Sequence, residues 1–150
     1  MRLLEHYIKE CMNKLLIFEK TSSLRNGKRN AKEYPYWKDF YALANDYEIV
    51  IVNEKKSNEE LISLIKWCDI WISVDSFIPH FVSFYKLKKG IVLFGKSDPS
   101  IFGYETNINV LKDDKNLRKE QFLWWEDEVY DPNVFVSPET LLKIVKKAIC

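Results

Sequence analysis

Two kinds of hydrophobic pattern alternate along the chain. Leu15-Leu16-Ile17-Phe18, Ile49-Val50-Ile51-Val52, Ile70-Trp71-Ile72-Ser73-Val74 and Ile91-Val92-Leu93-Phe94 are short, almost continuously apolar runs. Runs of this kind predict strands buried on both faces. Ile108-Asn109-Val110-Leu111 fits a fifth strand. Between the runs, apolar positions recur at helical spacing. Leu3, Leu4, Tyr7, Ile8, Cys11 and Met12 predict an amphipathic helix over residues 1–13. Trp37, Phe40, Tyr41 and Ala44 mark another helix, and Leu61, Leu64, Ile65 and Cys68 a third. A helical stretch through Phe81, Phe84 and Tyr85 follows, and Leu141, Leu142, Ile144, Val145 and Ala148 mark the last. Ser57 with Glu60 three residues on is a capping-box signal, and Ser137-Pro138-Glu139 has the order expected at a helix start.

Strands alternating with helices predict an α/β fold: a Rossmann-like, doubly wound parallel sheet. At 150 residues the chain has room for one such domain and no second. Ligands of these sheets bind beyond the carboxyl ends of the strands, which directs attention to the loops after Phe18, Val52, Val74 and Phe94.

Composition narrows the chemistry. With 47% hydrophobic and 30% charged residues the chain can build a core, and its net charge of +1 attracts neither nucleic acid nor an acidic membrane in bulk. Only 4 glycines are present, which excludes a multi-glycine phosphate loop. The 3 cysteines and 2 histidines lack zinc or disulfide spacing, so no metal is expected. No run approaches the ~20 apolar residues of a membrane span. Arg2, Glu5, Lys9 and Glu10 interrupt any signal-peptide core, giving the expectation of a soluble, cytoplasmic protein.

Lys20 to Lys32 holds five basic residues and no acid. Such a stretch can be a solvated loop, a phosphate-binding loop or an RNA contact; the near-neutral total charge favours a loop that serves a nucleotide locally. Trp124-Trp125 beside Glu126-Asp127-Glu128 reads either as a partner surface or as a buried lid over the sheet edge, and burial is the expectation.

The sharpest motif is Asp75-Ser76-Phe77-Ile78-Pro79-His80, where a strand passes into a helix. A helix N-terminus offers unpaired N–H groups and partial positive charge, hence a seat for an anion. Ser76 can donate to a phosphate oxygen, and His80 can donate or accept. The plainer reading is that Asp75 or Ser76 only caps the helix.

Asp75-Ser76-x-x-x-His80, followed after the next strand by Phe94-Gly95-Lys96-Ser97-Asp98-Pro99, resembles glycosyltransferase family 9, the heptosyltransferases. Lys32-Glu33-Tyr34-Pro35 with Trp37 resembles an element ahead of the first helix of that family's carboxyl-terminal domain. Asp131-Pro132-Asn133 with Ser137-Pro138-Glu139 resembles its closing segment, so the likeness covers roughly residues 14 to 150. The resemblance implies the nucleotide-sugar-binding half of a two-domain GT-B enzyme, without the amino-terminal half that carries acceptor site and catalytic base. By position it implies Asp75, Ser76 and His80 around the diphosphate and nucleotide, with the N–H groups of Phe77 and Ile78 toward phosphate. Thr21, Ser22 or Ser23 with Lys32 would supply the hydroxyl and lysine contacts. It implies no metal cofactor, and a partner protein or second copy to complete the cleft.

Two departures bear on this. The family's glycine after Asp-Ser is Phe77, whose side chain stands where a pyrophosphate would approach the backbone. Only Glu54-Lys55-Lys56 links the second strand to the Ser57 helix, where the family carries a further helix and strand. An interaction or nucleotide-binding protein that keeps the fold without transferase activity is therefore the alternative.

Overall fold

A computed structural model describes residues 13–150. The helix expected over the first residues lies outside them, as do His6 and Cys11. Five parallel strands form one sheet: β1 (Lys14–Phe18), β2 (Glu48–Ile51), β3 (Ile70–Val74), β4 (Ile91–Phe94) and β5 (Ile108–Leu111). Their order is β2-β1-β3-β4-β5. Leu16 pairs with Val50 on one side and Trp71 on the other, so β1 lies inside the sheet.

Helices cover both faces. On one face, α1 (Trp37–Leu43) and α5 (Pro138–Ile149) pack Trp37, Phe40, Leu141 and Val145 onto Leu15, Ile17, Ile72 and Leu93. On the other, α2 (Asn58–Trp67) and α3 (Phe77–Phe84) bring Leu61, Ile65, Phe81 and Val82 against Leu16, Trp71, Val92 and Phe94. The alternation of successive strand residues between the two cores follows from the two-residue period of a strand. This is the doubly wound arrangement expected.

One expectation needs correction. The apolar run at Ile49 to Val52 predicts a fully covered strand, yet β2 is an edge strand with Ile49 and Val50 half-buried and Ile51 exposed. An apolar run reports a strand without its lateral place in the sheet. The short α4 (Pro99–Phe102) was also unmarked by any helical period; Asp98 caps it by accepting from the Ser100 N–H at 2.9 Å.

Local signals explain the helix ends. Ser57 and Glu60 form a reciprocal capping box, with the Glu60 N–H donating to Ser57 Oγ at 3.1 Å and the Ser57 N–H to Glu60 Oε1 at 3.2 Å. At the end of α3, Lys86 takes φ 53°, and the Leu87 N–H donates to the Val82 carbonyl at 3.0 Å, a Schellman closure. Gly90, just before β4, is a glycine because Trp71 lies against it: a Cβ there would overlap the buried indole.

Candidate functional site

The strand order changes direction between β1 and β3, and that is where an open α/β sheet leaves a crevice beyond its carboxyl edge. The loops after β1 and β3 meet there. Thr21 Oγ1 donates to the Asp75 carbonyl at 3.3 Å, tying the two loops together. Lys32 Nζ lies 3.3 Å from Asp75 Oδ2. The carboxylate is buried, with its side chain 7% exposed, and the ammonium sits outside the hydrogen-bonding direction of Oδ2. The contact is an ion pair without an aligned donor.

Ser76 is the residue before α3, and its side chain does not cap that helix. Its Oγ is buried and has no hydrogen-bond partner among the described residues. The plainer reading of the motif, a serine occupied in capping, therefore fails for this hydroxyl. Phe77 and Ile78 open the helix, and Pro79 has no N–H to offer. The Phe77 ring is 61% exposed and leans on Phe81, with centroids 5.5 Å apart.

Two hollows share the Thr21-Ser22 rim. One, of about 450 Å³, is lined by Thr21, Ser22, Ser23 and Lys32, with Phe122, Trp124 and Trp125 opposite. The other, of about 460 Å³, holds Thr21, Ser22, Ser76, Phe77 and Ile78, with Lys20, Lys55 and Lys56 at its edge. The expected residues divide between the two hollows: Thr21 and Ser22 line both, Ser23 and Lys32 the first, and Ser76, Phe77 and Ile78 the second, while Asp75 meets Thr21 and Lys32. His80 stands apart. Its Nδ1 is 2.6 Å from the Tyr104 hydroxyl, and it lines a third hollow with Phe77 and Phe84.

The basic stretch from Lys20 to Lys32 is a held loop. Buried Asn30 donates to the Ser22 carbonyl at 2.9 Å and accepts from the Lys32 N–H at 3.0 Å. Its cations lie on rings of the segment after β5: Arg25 over Trp124 at 4.8 Å, Arg29 over Tyr130 at 4.0 Å and Lys32 over Trp125 at 4.8 Å. Arg118 lies on Trp125 as well, at 4.2 Å. Glu128 anchors this segment by pairing with Lys96 at 2.9 Å and Arg118 at 3.3 Å. Burial raises the Tyr130 phenol to about 12, and it donates to the Glu33 carbonyl at 3.1 Å. Its own backbone N–H and that of Arg25 hold the Glu126 carboxyl below its usual range.

The tryptophan pair corrects another expectation. Trp124 is 62% exposed instead of buried over the sheet edge, and Trp125 is half-buried between cations. Gln121, Trp124 and Trp125 had no signal that could place them here, because partners such as Lys96, Arg25 and Lys32 lie far away in sequence. Gln121 joins the loop after β4 to this segment: it accepts from the Asp98 N–H at 2.9 Å and donates to the Lys96 carbonyl at 3.0 Å. Gly95 in that loop is required by packing, since a Cβ would lie 2.7 Å from Val134.

No protein-family model and no curated protein matches the chain. Among solved structures, the fold is similar to that of TibC, a dodecameric, iron-containing heptosyltransferase crystallised with ADP-D-beta-D-heptose. The likeness has a TM-score of 0.63 at 13% identity and covers 91% of this chain and 45% of the TibC chain. This chain therefore spans less than half the length of that enzyme. TibC contains iron, so freedom from metal is not uniform within the fold; among the described residues here, no three His, Cys, Asp or Glu side chains gather to hold an ion. No helix among them is long and apolar enough to cross a membrane. The likeness shows the fold alone: a Rossmann-like α/β domain.

Proposed function

We propose that this chain is a nucleotide-sugar-binding domain that seats the diphosphate where the β1 and β3 loops meet. The observation that carries the reading is Ser76 Oγ, buried, uncommitted to its helix and placed beside the α3 N-terminus. A buried hydroxyl left unpaired costs roughly 1–3 kcal/mol, which a ligand oxygen would offset. Thr21 and Ser22 face it across the crevice, and Lys32 supplies a cation at the rim. In a transfer reaction these groups would bind and steady the departing nucleoside diphosphate. The acceptor site and base would lie outside these residues, in keeping with the 45% coverage of TibC. No metal is assigned to this site.

Calorimetric titration with ADP, UDP, GDP and their sugars tests the reading. Binding at millimolar concentration or tighter is expected, with Ser76→Ala weakening it about tenfold, the order of one charge-assisted hydrogen bond. Absence of binding by every one of these ligands at millimolar concentration would overturn it.

The alternative, a protein that keeps the fold and serves interaction alone, draws on Lys32 being already paired with Asp75, and on Phe77 in the glycine position. Under it, Asp75→Ala and His80→Ala change stability only. A specific loss of nucleotide affinity in either variant counts against it.

A further inference from the structure

The two hollows that share the Thr21-Ser22 rim differ in what they can hold. The one toward β2 is lined by Lys20, Lys55 and Lys56 with one acid, Glu54, a net positive balance that suits anionic groups. The other carries aromatic rings on the side facing Lys32. There Phe122 is 81% exposed and Trp124 is 62% exposed, although both stand beside the most polar part of the loop. Phe122 is fixed edge-on against Phe102 with centroids 5.7 Å apart, so it is exposed yet not adrift. Trp125 already carries two cations, from Lys32 and Arg118, and so is not the open ring.

We propose that Trp124, with Phe122 beside it, is the stacking platform for the base of a purine nucleotide. This rests on the diphosphate seat proposed above and adds the direction in which the nucleotide runs from it. Two exposed rings side by side at the wall of one hollow suit a planar, apolar-faced ligand. A base is such a group, and it stands next to phosphates in a nucleotide. Arg25, 4.8 Å from the Trp124 centroid, adds a cation to the stack. Stacking reads ring area more than hydrogen-bonding edge, so purines exceed pyrimidines while adenine and guanine differ little.

The experiment compares inorganic pyrophosphate, ADP and UDP on the wild-type chain and on Trp124→Ala, Trp124→Phe and Phe122→Ala. All three substitutions lie at exposed side chains, and thermal melting checks that the fold is kept. Wild type is expected to bind ADP more tightly than UDP, and both more tightly than pyrophosphate. Trp124→Ala should weaken ADP by about 5- to 150-fold, the range measured for base–aromatic stacking. It should leave pyrophosphate unchanged, and Trp124→Phe should restore most of the loss. An ADP-to-pyrophosphate ratio untouched by Trp124→Ala and Phe122→Ala would overturn the platform while leaving the diphosphate seat standing. Failure of the wild type to bind pyrophosphate or either nucleotide would overturn the seat, and the platform with it.

Discussion

Lys32 and Asp75 form the one ion pair among the described residues of the expected ligand shell, and its strength is measurable. At the observed 3.3 Å, two unit charges at an effective dielectric of about 20 attract by roughly 5 kcal/mol. Desolvation offsets much of this, because the Asp75 side chain is 7% exposed and that of Lys32 20%. A net coupling of about 2 kcal/mol is the expected remainder. The perturbation is a double-mutant cycle of Lys32→Met and Asp75→Asn, which remove charge at nearly constant volume. The two single variants should together lose about 2 kcal/mol more than the double variant, read from urea unfolding at unchanged m-value. Additivity within about 0.5 kcal/mol would show that the two charges do not sense each other, and would refute the reasoning. The same cycle at saturating ADP should give a smaller coupling, because a phosphate then shares the Lys32 ammonium.

Other consequences follow from packing and titration. Gly90→Ala places a methyl group inside the Trp71 indole, which is fully buried and held by a 2.9 Å bond from Nε1 to the Lys88 carbonyl. Overpacking of this kind costs about 1–3 kcal/mol or more, so the melting temperature should fall by roughly 3–10 °C; an unchanged melting point would contradict the close approach. Burial raises the Cys68 thiol to about 11, above its unfolded value near 9, so its neutral form is favoured in the fold. The stability this represents is complete below pH 9 and is lost as pH rises toward 11. Urea midpoints measured from pH 7 to 11 should therefore decline above pH 9, and Cys68 should resist alkylation at pH 8 while exposed Cys150 reacts.

Much of the fold was legible because it depends on local pattern. The interior strands β1, β3 and β4 are buried along nearly their whole length, and unbroken apolar runs are the signature of that environment. Ser57, Ser137 and the Asp75-Ser76 boundary lie at the helix starts their residue types indicate. The edge position of β2 was not legible, since lateral order is decided by contacts across the chain. The site divides the same way. Thr21, Ser22 and Ser76 sit at strand ends that any doubly wound sheet brings together. The wall of Phe122, Trp124 and Trp125 arrives from about 100 residues downstream of that loop, held by cations whose partners no spacing rule connects. Phe77 leans on Phe81 and lines two hollows, one of them the crevice that holds Ser76.

The central claim is that the meeting point of the β1 and β3 loops seats a diphosphate. A crystal soaked with ADP tests this directly. Phosphate density is expected within hydrogen-bond distance of Ser76 Oγ and the Phe77 and Ile78 N–H groups, between Ser22 and Ser76. Nucleotide density seated elsewhere on the protein, with the Ser22–Ser76 crevice still empty at saturating ADP, would contradict it.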